Sequence, residues 1–167
     1  DNPEASKNLK NEIIKRGVQS ERLIFAPRVP PEDHLQRMSA ADLFLDTAPY
    51  NAHTTTSEAL WVGLPVVTKI GSSFASRVAA SLVTAAGLPE LVVNKDEEYI
   101  DLAVSLAKSQ AKLSDLRVKL DGAYQNAPLF DSPGFTKNLE NLFTQMYEKS
   151  RLGQAPSTIS VLAPQAK

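Results

Sequence analysis

The chain has 167 residues, 43% of them hydrophobic, with 18 basic and 19 acidic residues and a net charge of −1 at pH 7. That length and apolar content exclude a disordered tail and suit one domain with a real core, or part of a larger one. The charge balance excludes a broad footprint for nucleic acid or an anionic membrane, no apolar run spans a bilayer, and the lack of cysteine excludes disulfides and suits a reducing, cytoplasmic compartment.

From the amino end, Asn2 caps a helix with Pro3 at its first position, Leu9 and Ile13 on its inner face and Gly17 at its end. The polar stretch from Asp1 to Lys10 has none of the layout of a signal peptide. Leu23-Ile24-Phe25 reads as a short buried strand, followed by a proline-rich loop from Ala26 to Pro31. Glu32 and Asp33, acids suited to a first turn, open a brief helix that holds His34 and Arg37. Leu43 to Asp46 is a second strand, Thr47 to Ala52 a loop, and His53 to Val62 a helix closed by Gly63 and Pro65. Pro65 to Thr68 is the third strand. Gly71-Ser72-Ser73 then leads into a helix striped by Ala75, Val78, Ala79, Leu82, Val83 and Ala86, ending at Gly87.

Leu91 to Val93 is the fourth strand, and Asp96 caps a helix with Ile100, Ala103, Val104 and Ala107 on one face. Ser114 to Tyr124 forms another helix. Ser132 and Pro133 start the last, striped by Phe135, Leu139, Leu142, Phe143 and Met146. Short apolar strands alternating with helices predict an α/β fold, a Rossmann-like parallel sheet with helices on both faces over residues 1–150. Residues 151–167 lose periodicity and gain Pro, Ser and Gln, the pattern of an extended or disordered tail. The unusual polar residues fall in loops after strands, at the carboxyl edge where open α/β sheets bind ligands.

The run Asn51-Ala52-His53-Thr54-Thr55-Thr56-Ser57-Glu58 carries most of the chemical information. Hydroxyls and free N–H groups crowd the first turn of a helix, where the macrodipole is positive and the amides have no intrahelical partner. Capping by Asn51 or a threonine is the ordinary reading, yet it leaves a histidine, three threonines and a serine in succession unexplained. His53, Thr54 and Thr55 are therefore the candidate contacts to a diphosphate. Taken alone, Glu58 reads as a solvated acid favoured by the dipole; one turn beyond the threonines, it reads as an acceptor for a ribose diol.

Arg28-Val29-Pro30 offers a backbone N–H and C=O at Val29, held open by prolines, to the edge of a pyrimidine, a weak signal by itself. His34 and Arg37 share a helical face, a pairing that on most surfaces does nothing. Arg77, on the polar side of a helix start, reads as a structural ion pair, and Asp42 and Asp46 as strand-boundary residues. Two histidines, no cysteine and no Asp-x-Asp pair argue against a zinc site or a metal-held diphosphate. The dinucleotide and P-loop glycine fingerprints and the Gly-x-Ser-x-Gly elbow are also missing.

Several blocks, read together, are similar to the protein O-linked N-acetylglucosaminyltransferase (O-GlcNAc transferase) family. They are Arg22-Leu23-Ile24-Phe25, Pro31-Glu32-Asp33-His34, Ala41 to Thr47, Asn51-Ala52-His53-Thr54-Thr55, Leu60 to Thr68 and Ala75-Ser76-Arg77-Val78-Ala79-Ala80-Ser81. The resemblance runs from about Arg22 to Tyr147, and the triple threonine with Glu58 points to a bacterial-type member. It implies the nucleotide-sugar lobe of a two-lobed GT-B glycosyltransferase that uses UDP-GlcNAc, needs no metal and transfers the sugar with inversion to Ser or Thr hydroxyls of proteins. By the same resemblance His53, Thr54 and Thr55 match diphosphate contacts, and Glu58 matches a ribose contact that is aspartate in many members. Val29, beside Arg28, matches a backbone contact to uracil, while His34 and Arg37 match side chains near base and sugar. Pro31 departs from a lysine of animal members.

In that family, strands preceding Leu23 carry a glutamine and a lysine that grip the phosphates, and an earlier lobe carries catalytic histidines. Neither segment is in this sequence, and the first two strands of a Rossmann order would separate the Leu23 strand from the Leu43 strand. The expectation is a C-terminal piece of a longer polypeptide, inactive alone, with the N-terminal catalytic lobe and tetratricopeptide repeats upstream and a protein or peptide acceptor. Two other classes stay open: a UDP-sugar epimerase or phosphorylase of GT-B architecture, and a non-catalytic nucleotide-sugar sensor.

Overall fold

The computed structural model describes residues 2–161. It resolves into two compact units, one running to His34 and one starting at Leu35. In the first, α1 (Pro3–Lys15) begins as expected: Asn2 Oδ1 accepts from the Glu4 and Ala5 amides at 3.0 and 3.4 Å, with Pro3 at the first helical position. A single 3₁₀ turn, Ser20–Arg22, follows. Leu23-Ile24-Phe25 corrects the expected buried strand, because Ile24 is 82% exposed and the trio pairs with no strand among the described residues. Its apolar run is real, but a strand exists only where a neighbour supplies the ladder. α2 (Pro31–Ser39) begins in this unit and passes into the second.

The second unit is built on a three-stranded parallel sheet in the order β1 (Phe44–Leu45), β2 (Val66–Lys69), β3 (Val92–Val93). Phe44 pairs with Val66 and Leu45 with Val67; Thr68 pairs with Val92 and Lys69 with Val93. Each crossover between parallel neighbours is helical, α3 (Thr54–Trp61) from β1 to β2 and α4 (Val78–Ala85) from β2 to β3. Val66, Val67 and Thr68 are fully buried, the mark of a central parallel strand covered on both sides. α3, α4 and α5 (Asp96–Ala107) all pack against β2, and α6 (Gln110–Asn126) packs on α5. Leu60, Leu64, Val83, Leu88, Leu91, Leu106, Leu116 and Leu120 complete the core.

Gly63 and Gly87 close α3 and α4 with φ of +76° and +83°. After Gly63, Leu64 N–H donates to Ala59 O at 2.9 Å; after Gly87, Leu88 N–H donates to Val83 O at 3.1 Å. These paired turns drop the chain directly into the core and, at α3, into β2.

Three helices differ in detail from expectation. The inner face of α5 is Tyr99, Leu102, Ala103 and Leu106, with Ile100 and Val104 exposed, the same period shifted by one residue. Its amino end is held by Glu98, whose carboxylate accepts from the Asn94 and Lys95 amides, and not by Asp96. α6 starts four residues before Ser114, where Ser109 Oγ accepts from the Lys112 amide. α7 (Ser132–Arg151) forms as expected, capped by Asp131, but none of its residues is buried: Phe135, Phe143 and Met146 stand exposed. Residues 152–161 carry no helix or strand, and 162–167 of the expected tail lie outside the described residues.

Candidate functional site

Beyond β1 the chain is held by a buried acid. Asp46 Oδ1 accepts from the Thr47 and Ala52 amides at 2.8 and 2.7 Å, and Oδ2 accepts from Thr68 Oγ1 at 2.6 Å. Asn51, fully buried, donates its amide N–H to Ala75 O at 2.9 Å and its side-chain NH₂ to Thr47 O at 2.8 Å. It does not cap the helix. It ties the loop after β1 to the loop after β2, and its Oδ1 has no hydrogen-bond partner among the described residues.

With the loop set in this way, His53 occupies the N-cap position of α3 with no side-chain capping bond. Its ring stacks on Tyr50 at 5.1 Å between centroids and meets Phe74 edge-on at 5.9 Å, and Nε2 lies 3.4 Å from Ala75 O. Among the described residues no acceptor takes the N–H groups of Thr54 and Thr55, and no acid stands in this first turn. The three threonines divide. Thr56 is buried and returns its hydroxyl to Ala52 O at 2.9 Å, whereas Thr54 is exposed and Thr55 half-buried, with hydroxyls that bond nothing within the described chain. Half-buried Glu58 follows on the next turn. Two open amides, two open hydroxyls and one imidazole therefore converge at the positive end of a helix dipole, a donor set that suits an anion.

The site sits at the carboxyl edge, as expected, between loops after adjacent strands. The second loop folds on itself: Gly71 N–H donates to Ser76 O at 2.8 Å, and buried Ser76 donates its hydroxyl to Ser73 O at 3.0 Å. A Cβ on Gly71 would fall 2.4 Å from Ser76 Oγ, so only glycine allows that approach. Among the described residues Arg77 forms no ion pair, contrary to expectation; it donates to Gly71 O at 3.3 Å. Close by, a cavity of about 470 Å³ of mixed lining is bounded by Pro49, Lys69, Ile70, Ser73, Asn94 and Asp96, and the Lys69–Asp96 pair closes at 2.5 Å.

His53, Thr54, Thr55 and Glu58 are thus brought together on α3. Arg28 and Val29, in the loop before α2, and His34 belong to the first unit, whereas Arg37 belongs to the second, three residues from His34 along α2 as the spacing predicts. Sequence reading missed Tyr50 and Phe74, which carry no motif, and underrated Asp46, whose one legible signal is an acid ending an apolar strand. Among the described residues no three His, Asp or Glu side chains gather as metal ligands, and no helix is long and apolar enough to cross a membrane.

Comparison with known proteins gives consistent matches. The model of glycosyl transferase family 41 matches residues 3–139. The chain is 39% identical over 142 residues to the probable UDP-N-acetylglucosamine--peptide N-acetylglucosaminyltransferase SPINDLY of Arabidopsis thaliana, covering 84% of this chain and 16% of that protein. It is 35% identical over 150 residues to the UDP-N-acetylglucosamine--peptide N-acetylglucosaminyltransferase of Caenorhabditis elegans, covering 90% and 13%. A solved structure of a mutant O-GlcNAc transferase from Thermobaculum terrenum superposes with a TM-score of 0.81 at 38% identity, over 89% of this chain and 28% of that one. The chain therefore spans 13 to 16% of the length of these two relatives.

Proposed function

The chain belongs to glycosyl transferase family 41, and from that premise we propose that it is the UDP-sugar-binding part of an inverting, metal-independent protein O-glycosyltransferase. The parent polypeptide moves N-acetylglucosamine from UDP-GlcNAc to Ser or Thr hydroxyls of proteins, and its N-terminal lobe and tetratricopeptide repeats bring the acceptor. A cytoplasmic location belongs to the same reading, supported by the cysteine-free sequence.

The observation that carries the reading is the uncapped amino end of α3, with open amides at Thr54 and Thr55 beside the His53 ring. In inverting transfer the acceptor hydroxyl oxygen bonds to the anomeric carbon as the bond from that carbon to the diphosphate oxygen breaks; UDP leaves with the electron pair, and the hydroxyl proton passes to water or to the departing diphosphate. Negative charge grows on the departing diphosphate. The α3 amides and the Thr54 and Thr55 hydroxyls meet that charge with donors already in place, and the His53 ring, held by Tyr50 and Phe74, adds one more. Glu58 accepts from the ribose diol, Val29 with Arg28 reads the uracil edge, and His34 and Arg37 flank base and sugar.

The test uses the complete native polypeptide that carries this chain. His53→Ala and Thr54→Ala should each lower sugar transfer to protein at least about tenfold, since one lost donor to a developing oxyanion costs on the order of 3 kcal/mol. Turnover should survive chelation of divalent metal. Unchanged kinetics in both variants would overturn the assignment. Free or isomerised sugar without labelled protein would place the chain in an epimerase or phosphorylase, and UDP binding without any turnover would make it a nucleotide-sugar sensor.

A further inference from the structure

We propose that Asp46 is a positioning residue for diphosphate binding, setting the amino end of α3 through the Ala52 amide; this rests on the reading of that helix end as a diphosphate site. Asp46 directly follows β1 and is 7% exposed, and its side chain accepts three hydrogen bonds at once. Oδ1 accepts from Thr47 and Ala52, the two ends of the loop, and Oδ2 accepts from the Thr68 hydroxyl on the neighbouring strand. Its own carbonyl accepts from the Tyr99 hydroxyl at 2.8 Å, which joins α5 to the same point.

Ala52 directly precedes His53, and its carbonyl accepts from the Thr56 hydroxyl. Ala52, the residue that leads into the helix start, is therefore held at its N–H by Asp46 and at its C=O by Thr56. What remains unclaimed at the helix end is the set of groups a diphosphate would use, the Thr54 and Thr55 donors. The carboxylate gives the helix a fixed start on the sheet while bonding to none of those open donors. Buried Asn51 secures the same loop to the Ala75 carbonyl, so the segment between them has little freedom to shift.

The shape of the interaction distinguishes substitutions. Asparagine keeps one oxygen for both amides, and its NH₂ group can donate to Thr68 once that hydroxyl rotates; alanine keeps neither contact. The separating measurement is affinity of the complete polypeptide for UDP and, in parallel, for uridine, which lacks the phosphates. Asp46→Ala should weaken UDP at least about tenfold more than uridine, Asp46→Asn should restore UDP to within about threefold of the native value, and Thr68→Val should fall between them. Should Asp46→Ala fail to fold, Thr68→Val carries the comparison, with a selective loss for UDP expected. Equal losses for UDP and uridine, or no loss, overturn the proposal if His53→Ala and Thr54→Ala still weaken UDP selectively. Native UDP affinity in those last two variants removes the diphosphate reading and this proposal with it.

Discussion

Thr54, Thr55 and Thr56 follow one another in sequence and meet two different fates. The helix advances roughly 100° per residue, which carries Thr56 into the core, where its hydroxyl donates to Ala52 O, and leaves exposed Thr54 and half-buried Thr55 with unclaimed hydroxyls. Thr56→Val should accordingly cost about 1 kcal/mol of stability with native turnover in the complete polypeptide, because it deletes a buried bond and keeps the branched shape. Thr55→Ala should do the reverse, lowering turnover by about tenfold or more at nearly unchanged stability. Thermal unfolding and steady-state kinetics on the two variants check the crossover, and parallel losses in both would argue against separate roles. Thr54 and Thr55 are legible in the sequence, since a helix start exposes its first positions; the stacking of Tyr50 on His53 is not, because nothing local states which rings a loop brings together.

Among the elements, the two crossover helices owe their ends to glycine and their packing to small residues. At Gly87, with φ +83°, the Gly87→Ala variant meets no neighbour within 4 Å, so its cost is conformational alone, about 1 kcal/mol or somewhat more. Urea unfolding measures it, and a neutral result would show that the turn relaxes. α6 and α7 give a sharper contrast. Leu120 of α6 is wholly buried, and Leu120→Ala should cost about 2–5 kcal/mol. Phe143 of α7 is 58% exposed, and Phe143→Ser should leave the stability of this chain within about 0.5 kcal/mol of native. In sequence only α7 carries a legible apolar stripe, yet α6 is the helix that packs into the core. Periodicity shows that a helix has an apolar stripe, whereas only the packed chain shows whether anything covers it.

For the whole molecule, two half-buried phenols tie stability to alkaline pH. Burial raises the Tyr99 hydroxyl, with the negative charge of Asp46 adding to it, and burial raises Tyr124, with Asp121 adding to it. Both protonated hydroxyls donate to carbonyls, Tyr99 to Asp46 and Tyr124 to the end of α3 at Leu60, 3.1 Å away. The folded state holds these protons more tightly than the unfolded chain, whose phenols titrate near about pH 10. Their contribution is thus complete below that pH and fades as pH climbs through the raised folded values. The double variant Tyr99→Phe, Tyr124→Phe should be less stable at neutral pH yet lose less Tm between about pH 10 and 12; an unchanged alkaline slope would count against the assignment. The sequence by itself determined the alternation of strands and helices, the parallel sheet and the cluster at His53, because these follow from short-range periodicity and from where hydroxyls stand at a helix start. Tertiary structure decided that Leu23–Phe25 pairs with no strand among the described residues, that α5 turns a neighbouring stripe inward, and that Asp46, at its strand boundary, is also a buried strut. Each of those depends on which distant backbone groups meet, and a ladder partner, a covering face or an acceptor for a buried amide is supplied by chain folding, not by the residues beside it.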